Sequence, residues 1–188
     1  MKLPSILVLS AILVASELLL AVGRRSKTRQ SNAKDRLTLP LLWAVIGMSI
    51  WAGFYLRAVF PQAAFSHGRT IYLVGLVLFF IGLVIRWSAI IYLGRFFTVN
   101  VAIAKDHELI TAGPYRFVRH PSYSGALLIF LGFGLCLLNL LSFLAVFIPI
   151  TIAFLWRVHV EEVALREAFG ERYERYARTA ARLVPWCY

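Results

Sequence analysis

The chain has 188 residues, of which 60% are hydrophobic and only 15% are charged, and its formal net charge is +11. Average globular proteins carry about 45–50% apolar and about 25% charged residues, so too little polar surface is present here to cover a soluble domain. Together with a mean hydropathy of +0.75, this composition excludes a soluble enzyme, a disordered chain and a disulfide-rich secreted module. It predicts an integral membrane protein. The basic residues lie in short segments between apolar runs, as expected of loops that face anionic lipid rather than nucleic acid.

Five apolar runs come close to the roughly 20 residues that a membrane-spanning helix needs. We predict an all-α, multi-pass protein with five transmembrane helices, at residues 3–22, 40–60, 71–93, 124–139 and 142–157. The last two are short and nearly contiguous, which predicts a helical hairpin. The first run is alternatively a signal peptide, since Lys2 precedes it. Its length, the interruption by Glu17 and the lack of an A-x-A cleavage site favour a membrane anchor.

The distribution of basic residues predicts the orientation of these helices. Sixteen of the 20 Lys and Arg residues lie in segments 23–39, 94–123 and 157–182, and only Lys2, Arg57 and Arg69 lie toward the other side. With five spans, the three basic segments share one side. We therefore predict an N-terminus outside and a cytoplasmic C-terminus, in the cell membrane of a prokaryote or the endoplasmic reticulum of a eukaryote.

The C-terminal part of the chain has a different character. Apolar residues recur at helical spacing from Glu161 to Arg182, with charges of both signs between them, which predicts an amphipathic cytoplasmic helix bent near Gly170. We divide the chain into three N-terminal helices (1–93) and a catalytic region (94–188) that form one integrated domain.

Two charged residues, Glu17 and Arg86, fall inside predicted spans, where charges are costly. Both lie in the predicted cytoplasmic half. Their placement fits a structural ion pair or two side chains that reach the interface, and alternatively one wall of a polar cavity.

The segment 94–123 combines histidines, acids, bases, prolines and hydroxyl groups at a density that is unusual for a simple connection, and it predicts a ligand site. Ser122 opens the following helix, where free backbone N–H groups favour an anion. His107 and His120 lack a third nearby ligand, and Cys136 and Cys187 form no CxxC, so we predict no metal site.

Arg157 and Glu161 close the fifth span with i, i+4 spacing. Alone, this spacing fits an ordinary ion pair at a helix end. Because a hairpin returns its end close to its start, we expect Arg157 and Glu161 to approach His120 and Tyr123.

The string HELI–x2–GPYR–x2–RHPSYSG, two apolar helices, R–x3–EE and FGERYERY resembles the isoprenylcysteine carboxyl methyltransferase family from about Asn100 to Pro185. The resemblance implies a membrane enzyme that uses S-adenosylmethionine, releases S-adenosylhomocysteine, and methylates the carboxylate of a lipidic or lipidated-peptide acceptor entering from the bilayer. Arg157 corresponds to the family's substrate-side arginine, and Glu162 is a second candidate catalytic residue. The implied cofactor contacts are His107, Glu108, Leu109, Ile110, Tyr115, His120, Pro121, Ser122, Tyr123 and Glu161.

Three alternatives stay open on these motifs. The RHPxYxG element is shared with phospholipid methyltransferases and, more loosely, with membrane sterol reductases. In a phosphatidylethanolamine N-methyltransferase, Glu162 would serve as the base that an amine acceptor needs, and Arg157 would hold the lipid phosphate. A non-enzymatic membrane scaffold is the third class.

Overall fold

The computed structural model describes residues 3–23, 35–94 and 109–185, and these parts form an all-α structure. Its α-helices are α1 (Ile6–Gly23), α2 (Asp35–Val59), α3 (Gly68–Leu93), α4 (Pro121–Cys136), α5 (Leu140–Phe169) and α6 (Glu171–Ala177). Short 3-10 helices occupy Pro61–Ala63 and Gly113–Arg116. Helices α1 to α5 lie at the positions of the five predicted apolar runs.

Three of these helices are long and apolar enough to cross a membrane: residues Thr38–Val59 of α2, α3 and α5. Helix α4 has 16 residues, about 24 Å at 1.5 Å per residue, against a hydrocarbon thickness of about 30 Å. The apolar part of α1, Ile6–Leu20, is likewise shorter than the three helices of span length. The described residues thus have the helices of an integral membrane protein, with three of span length where the sequence predicted five spans.

Helices α3 and α4 pack backbone to backbone through glycines. A Cβ on Gly82 would lie 2.6 Å from the carbonyl oxygen of Gly125, and one on Gly75 would lie 2.8 Å from that of Gly132. Gly75 and Gly82 are seven residues apart in α3, and Gly125 and Gly132 are seven residues apart in α4. The two glycines of each helix therefore lie on one face of it. Close approach through small residues is a common basis of helix association in membranes, because lipid offers no hydrophobic drive between helices.

One end of the bundle joins the connections α2–α3 and α4–α5. The backbone N–H of Phe65 donates to the carbonyl of Leu138 at 3.2 Å. The Asn139 side chain donates to the carbonyl of Phe60 at 2.8 Å and accepts from the backbone N–H of Ser142 at 3.0 Å, which caps α5. We call this the far end.

The opposite end, which we call the site end, is held by a buried polar chain. Nη2 of Arg86 in α3 lies 2.9 Å from Oε2 of Glu17 in α1. Nη1 of Arg86 donates to the Ser122 hydroxyl at 3.4 Å, at the start of α4. Of the alternatives left open for Glu17 and Arg86, the structure shows the ion pair, which joins the C-terminal halves of α1 and α3 near the N-terminus of α4.

The C-terminal region differs from the predicted amphipathic helix in where its pieces begin and end. Helix α5 continues past the predicted end at residue 157 to Phe169, and the chain bends at Gly170 (φ +51°), as predicted, before α6. Helix α6 ends at Ala177, short of the predicted residue 182. Residues 178–185, which we call the return segment, fold back on the loop before α4 and pair Ala181 with Val118 in a parallel bridge.

Candidate active site

Three arginines and a histidine surround the carboxylate of Glu162 on α5, whose side chain is 0% exposed. Oε2 lies 2.7 Å from Nη2 of Arg182 and 3.7 Å from Nη2 of Arg166. Oε1 lies 3.4 Å from Nη2 of Arg119 and 3.5 Å from Nε2 of His120. One buried negative charge therefore joins α5, the loop before α4 and the return segment.

His120 stands between two acids at the N-terminus of α4. Its Nδ1 lies 4.0 Å from Oε2 of Glu161, opposite the contact with Glu162, and its ring stacks on Tyr123 with centroids 5.7 Å apart. Its backbone N–H donates to the carbonyl of Arg182 at 3.2 Å. Each ring nitrogen thus has a carboxylate within 4.0 Å, and one ring face has an aromatic neighbour.

Arg157 lies one turn before Glu161 on α5 and is 2% exposed. Its Nη1 donates to the Thr38 hydroxyl at 2.7 Å and its Nε donates to the Tyr123 hydroxyl at 3.3 Å. The Glu161 carboxylate is also a hydrogen-bonding neighbour of that hydroxyl. The expected approach of Arg157 and Glu161 to His120 and Tyr123 is confirmed.

Tyrosines link the loop to the rest of the site end. Tyr176 of α6 donates to the carbonyl of Tyr115 at 2.6 Å, and Tyr115 donates to the carbonyl of Ala89 in α3 at 3.3 Å. Burial raises the pKa of both hydroxyls above the usual value, and the nearby Glu161 charge raises the pKa of Tyr115 further. Both groups therefore remain neutral donors.

Some of the remaining residues predicted to contact the cofactor lie near the Glu162 cluster, and others lie outside the described residues. Leu109 is half-buried and packs against the cluster of Tyr173 and Tyr176. The next residue in the chain, Ile110, is also half-buried. Pro121 and Ser122 are buried in the first turn of α4. His107 and Glu108 lie outside the described residues.

Sequence reasoning missed Arg119, Arg182 and Thr38, which contact the predicted site residues directly. For Arg119, a signal was present in its position next to His120. Thr38 precedes the second predicted span and Arg182 lies near the end of the chain, so no local pattern pointed to either.

The arrangement places groups of opposite charge side by side at the end of an apolar bundle. Glu161 keeps 30% of its side-chain surface exposed, which suits a ligand ammonium, while Arg157 offers a guanidinium for a ligand anion. This donor set fits a zwitterionic ligand next to an anionic one.

Comparison with known proteins gives consistent results. The family model described as phospholipid methyltransferase matches residues 70–172. A probable protein-S-isoprenylcysteine O-methyltransferase of Oryza sativa subsp. indica is 41% identical over 115 residues, 60% of this chain and 60% of that protein. The protein-S-isoprenylcysteine O-methyltransferase of Homo sapiens is 28% identical over 149 residues, 78% of this chain and 52% of that protein. These matches confirm the resemblance that the motif string indicates.

A solved structure shares the fold. The eukaryotic intramembrane Ras methyltransferase, an isoprenylcysteine carboxyl methyltransferase, superimposes with a TM-score of 0.72 at 24% identity, over 96% of this chain and 65% of that chain. The chain spans 60% of the length of the rice relative and about half of the human one.

Proposed function

Because this chain belongs to the phospholipid methyltransferase family, we propose that it is a membrane enzyme that methylates the carboxylate of an isoprenylcysteine-like lipid with S-adenosylmethionine. The observation that carries the proposal is the buried Arg157 guanidinium, linked through Tyr123 to the His120–Glu161 pair. The names of the rice and human relatives support the same acceptor.

The cofactor supplies an electrophilic methyl group on its sulfonium when bound. Glu161 suits its ammonium, and His120 suits its carboxylate, because each offers the opposite polarity in a partly desolvated place. Tyr123 separates this pair from Arg157, so its ring would line the space where the two ligands meet. The proposed contacts are Leu109, Ile110, Tyr115, His120, Pro121, Ser122, Tyr123 and Glu161, together with His107 and Glu108 on the resemblance alone.

The acceptor requires no general base. A prenylcysteine α-carboxyl group has a pKa of about 3.5 and is ionised at neutral pH. Its methylation needs alignment with the methyl group and removal of water. Arg157 would hold one carboxylate oxygen while the other attacks. Thr38 and Tyr123 fix the guanidinium in place, so less of its freedom is lost on binding.

Glu162 fits a positioning role better than that of a base. Its carboxylate faces Arg119, Arg166, Arg182 and His120, and guanidinium groups so close favour the ionised form of a carboxylate. We assign it the function of orienting His120 and of fastening the return segment over the loop.

The runner-up is a phospholipid N-methyltransferase, which the description of the matching family model favours. An amine acceptor must lose a proton to a base. Glu161 is more exposed than the adjacent Glu162 and is the better candidate for that base. A sterol-type reductase, the more distant alternative, would bind a nicotinamide cofactor instead.

We further propose that α1 and α4 complete five spans, with α4 and α5 as a hairpin, an N-terminus outside and the site end in the cytoplasm. The packing of α4 along α3 and the exposed Leu7, Leu18 and Leu19 of α1 support membrane burial of both helices. Cysteine-accessibility labelling that places residues 30 and 180 on opposite faces would overturn this topology.

The test of function uses purified protein in lipid nanodiscs with methyl-labelled S-adenosylmethionine. Farnesylated cysteine and phosphatidylethanolamine are supplied in separate reactions, and the products are treated with alkali. A methyl ester releases volatile methanol, whereas an N-methyl group stays on the lipid. We expect volatile label with farnesylated cysteine. Alkali-stable label on phospholipid would assign the runner-up, and binding of a nicotinamide cofactor instead would assign the reductase.

Two variants separate the proposed roles. Arg157→Ala should abolish ester formation and leave binding of S-adenosylhomocysteine, measured by calorimetry, largely intact. Glu161→Ala should weaken that binding. Arg69→Ala, an exposed arginine on α3, is the control and should change neither quantity. If Arg157→Ala abolishes cofactor binding as well, the arginine belongs to the cofactor pocket.

A further inference from the structure

A basic groove lies beside the candidate active site, between the loop before α4 and the return segment. It has a volume of about 420 Å³, and its lining includes Arg116, Phe117, Arg119, Arg178, Arg182 and Pro185. Of the residues that the structure places around it, four are arginines and none is acidic. The proposed methyl transfer uses none of these side chains directly.

Two of the four arginines of this groove contact a buried acid. Arg119 and Arg182 both contact the carboxylate of Glu162, which is also contacted by Arg166 and His120. Arg116 lies with its guanidinium carbon 6.0 Å from the centre of the Phe117 ring. Four guanidinium groups around one concave surface make an electrostatic site for an anion.

The position of the groove indicates which kind of anion it would bind. Phe117, which lines the groove, is 57% exposed. Val184, which precedes the lining residue Pro185 in the return segment, is 52% exposed, although both side chains are apolar. Phe117 precedes by four residues the start of α4 at Pro121, and α4 is an apolar helix of the bundle. Arginines and exposed apolar side chains at a helix end are characteristic of the membrane interface, where phosphates lie next to the acyl boundary.

We propose that this groove binds the phosphate of an anionic phospholipid, with Phe117 and Val184 inserted in the interfacial layer beside it. The concentration of arginines suits a phosphate diester, because a guanidinium donates through a planar fork to two of its oxygens. The lipid would hold the loop and the return segment against the bilayer. This interaction goes beyond the proposed methyl transfer and does not depend on it.

The experiment measures lipid retention by the full chain, purified in detergent, with native mass spectrometry and titration of phosphatidylglycerol or phosphatidylcholine. The test variant is Arg116→Ala with Arg178→Ala. The matched control is Arg172→Ala with Arg175→Ala, two exposed arginines of α6 outside the groove lining. We expect preferential retention of phosphatidylglycerol by the wild type, and a loss of about tenfold or more in its affinity in the test variant only.

Three results would overturn the proposal. Equal retention of phosphatidylglycerol and phosphatidylcholine would show that no anionic headgroup is recognised. Equal losses in the test and control variants would show a diffuse charge effect instead of a groove. Competition by inorganic phosphate without any lipid preference would assign the groove to a soluble anion. Melting temperatures of both variants within about 2 °C of the wild type would show that the fold is preserved, and if the test variant fails this criterion, Arg116→Gln with Arg178→Gln replaces it.

Discussion

Replacing Glu162 with glutamine keeps the shape of the side chain and removes the negative charge that three arginines and His120 share. Breaking a buried ion pair costs about 3–5 kcal/mol when the remaining charge stays buried. Arg182 and Arg166 keep 25% and 39% of their side-chain surface exposed, so water compensates part of this loss. We therefore expect a destabilisation near the lower bound, about 3 kcal/mol.

For a chain of this length each kcal/mol lowers the melting temperature by about 2–4 °C, so Glu162→Gln should melt roughly 6–12 °C below the wild type. The measurement is a thermal-shift assay in detergent. Glu167→Gln is the control, since Glu167 is exposed on the same helix, and such changes stay within about 0.5 kcal/mol. A Glu162→Gln protein that melts within 1 °C of the control, as an approximate limit of detection, would refute the idea that this carboxylate holds the site together.

Two further changes test the packing of the bundle and the site by the same assay. Gly82→Ala would place a methyl group 2.6 Å from the carbonyl oxygen of Gly125 and should cost about 1–3 kcal/mol, whereas Gly47→Ala meets no atom within 4 Å and should leave the melting temperature unchanged or raised. Tyr176→Phe removes the donor to the Tyr115 carbonyl and should cost about 1 kcal/mol. An unchanged melting temperature in Gly82→Ala or Tyr176→Phe would contradict the corresponding contact.

The positions of the helices follow from the sequence because apolar runs of this length have few alternatives to a membrane helix. Residues 71–93 were predicted where α3 spans Gly68–Leu93. The predicted span 142–157 and the first part of the amphipathic helix predicted from Glu161 form one continuous helix, α5, which ends at Phe169. Composition identifies where apolar residues stop. It does not show that the following charged turns are buried by a loop and by the return segment.

The site was predictable where topology brings local motifs together, as for His120 and Glu161, which meet because α4 and α5 join at the far end and leave their other ends adjacent. The partners of Glu162 were not predictable from the sequence. Arg182 reaches it from the return segment and Arg119 from the loop, and such contacts depend on how the chain folds back after Gly170. A sequence pattern of two neighbouring acids suggested a base, where the structure places a carboxylate among cations.

The pairing between the loop and the return segment has a consequence for the order of assembly during synthesis. Tyr176 and Tyr115 are 61 residues apart in the chain, and Arg119 and His120 donate their backbone N–H groups to carbonyls of Ala181 and Arg182. At about 5–20 residues per second, a ribosome needs several seconds to make that interval. Throughout this time the loop that carries His120 has neither its backbone acceptors nor the arginine that closes the ion cluster. The polar end of the molecule is therefore completed only after residue 182 has been made.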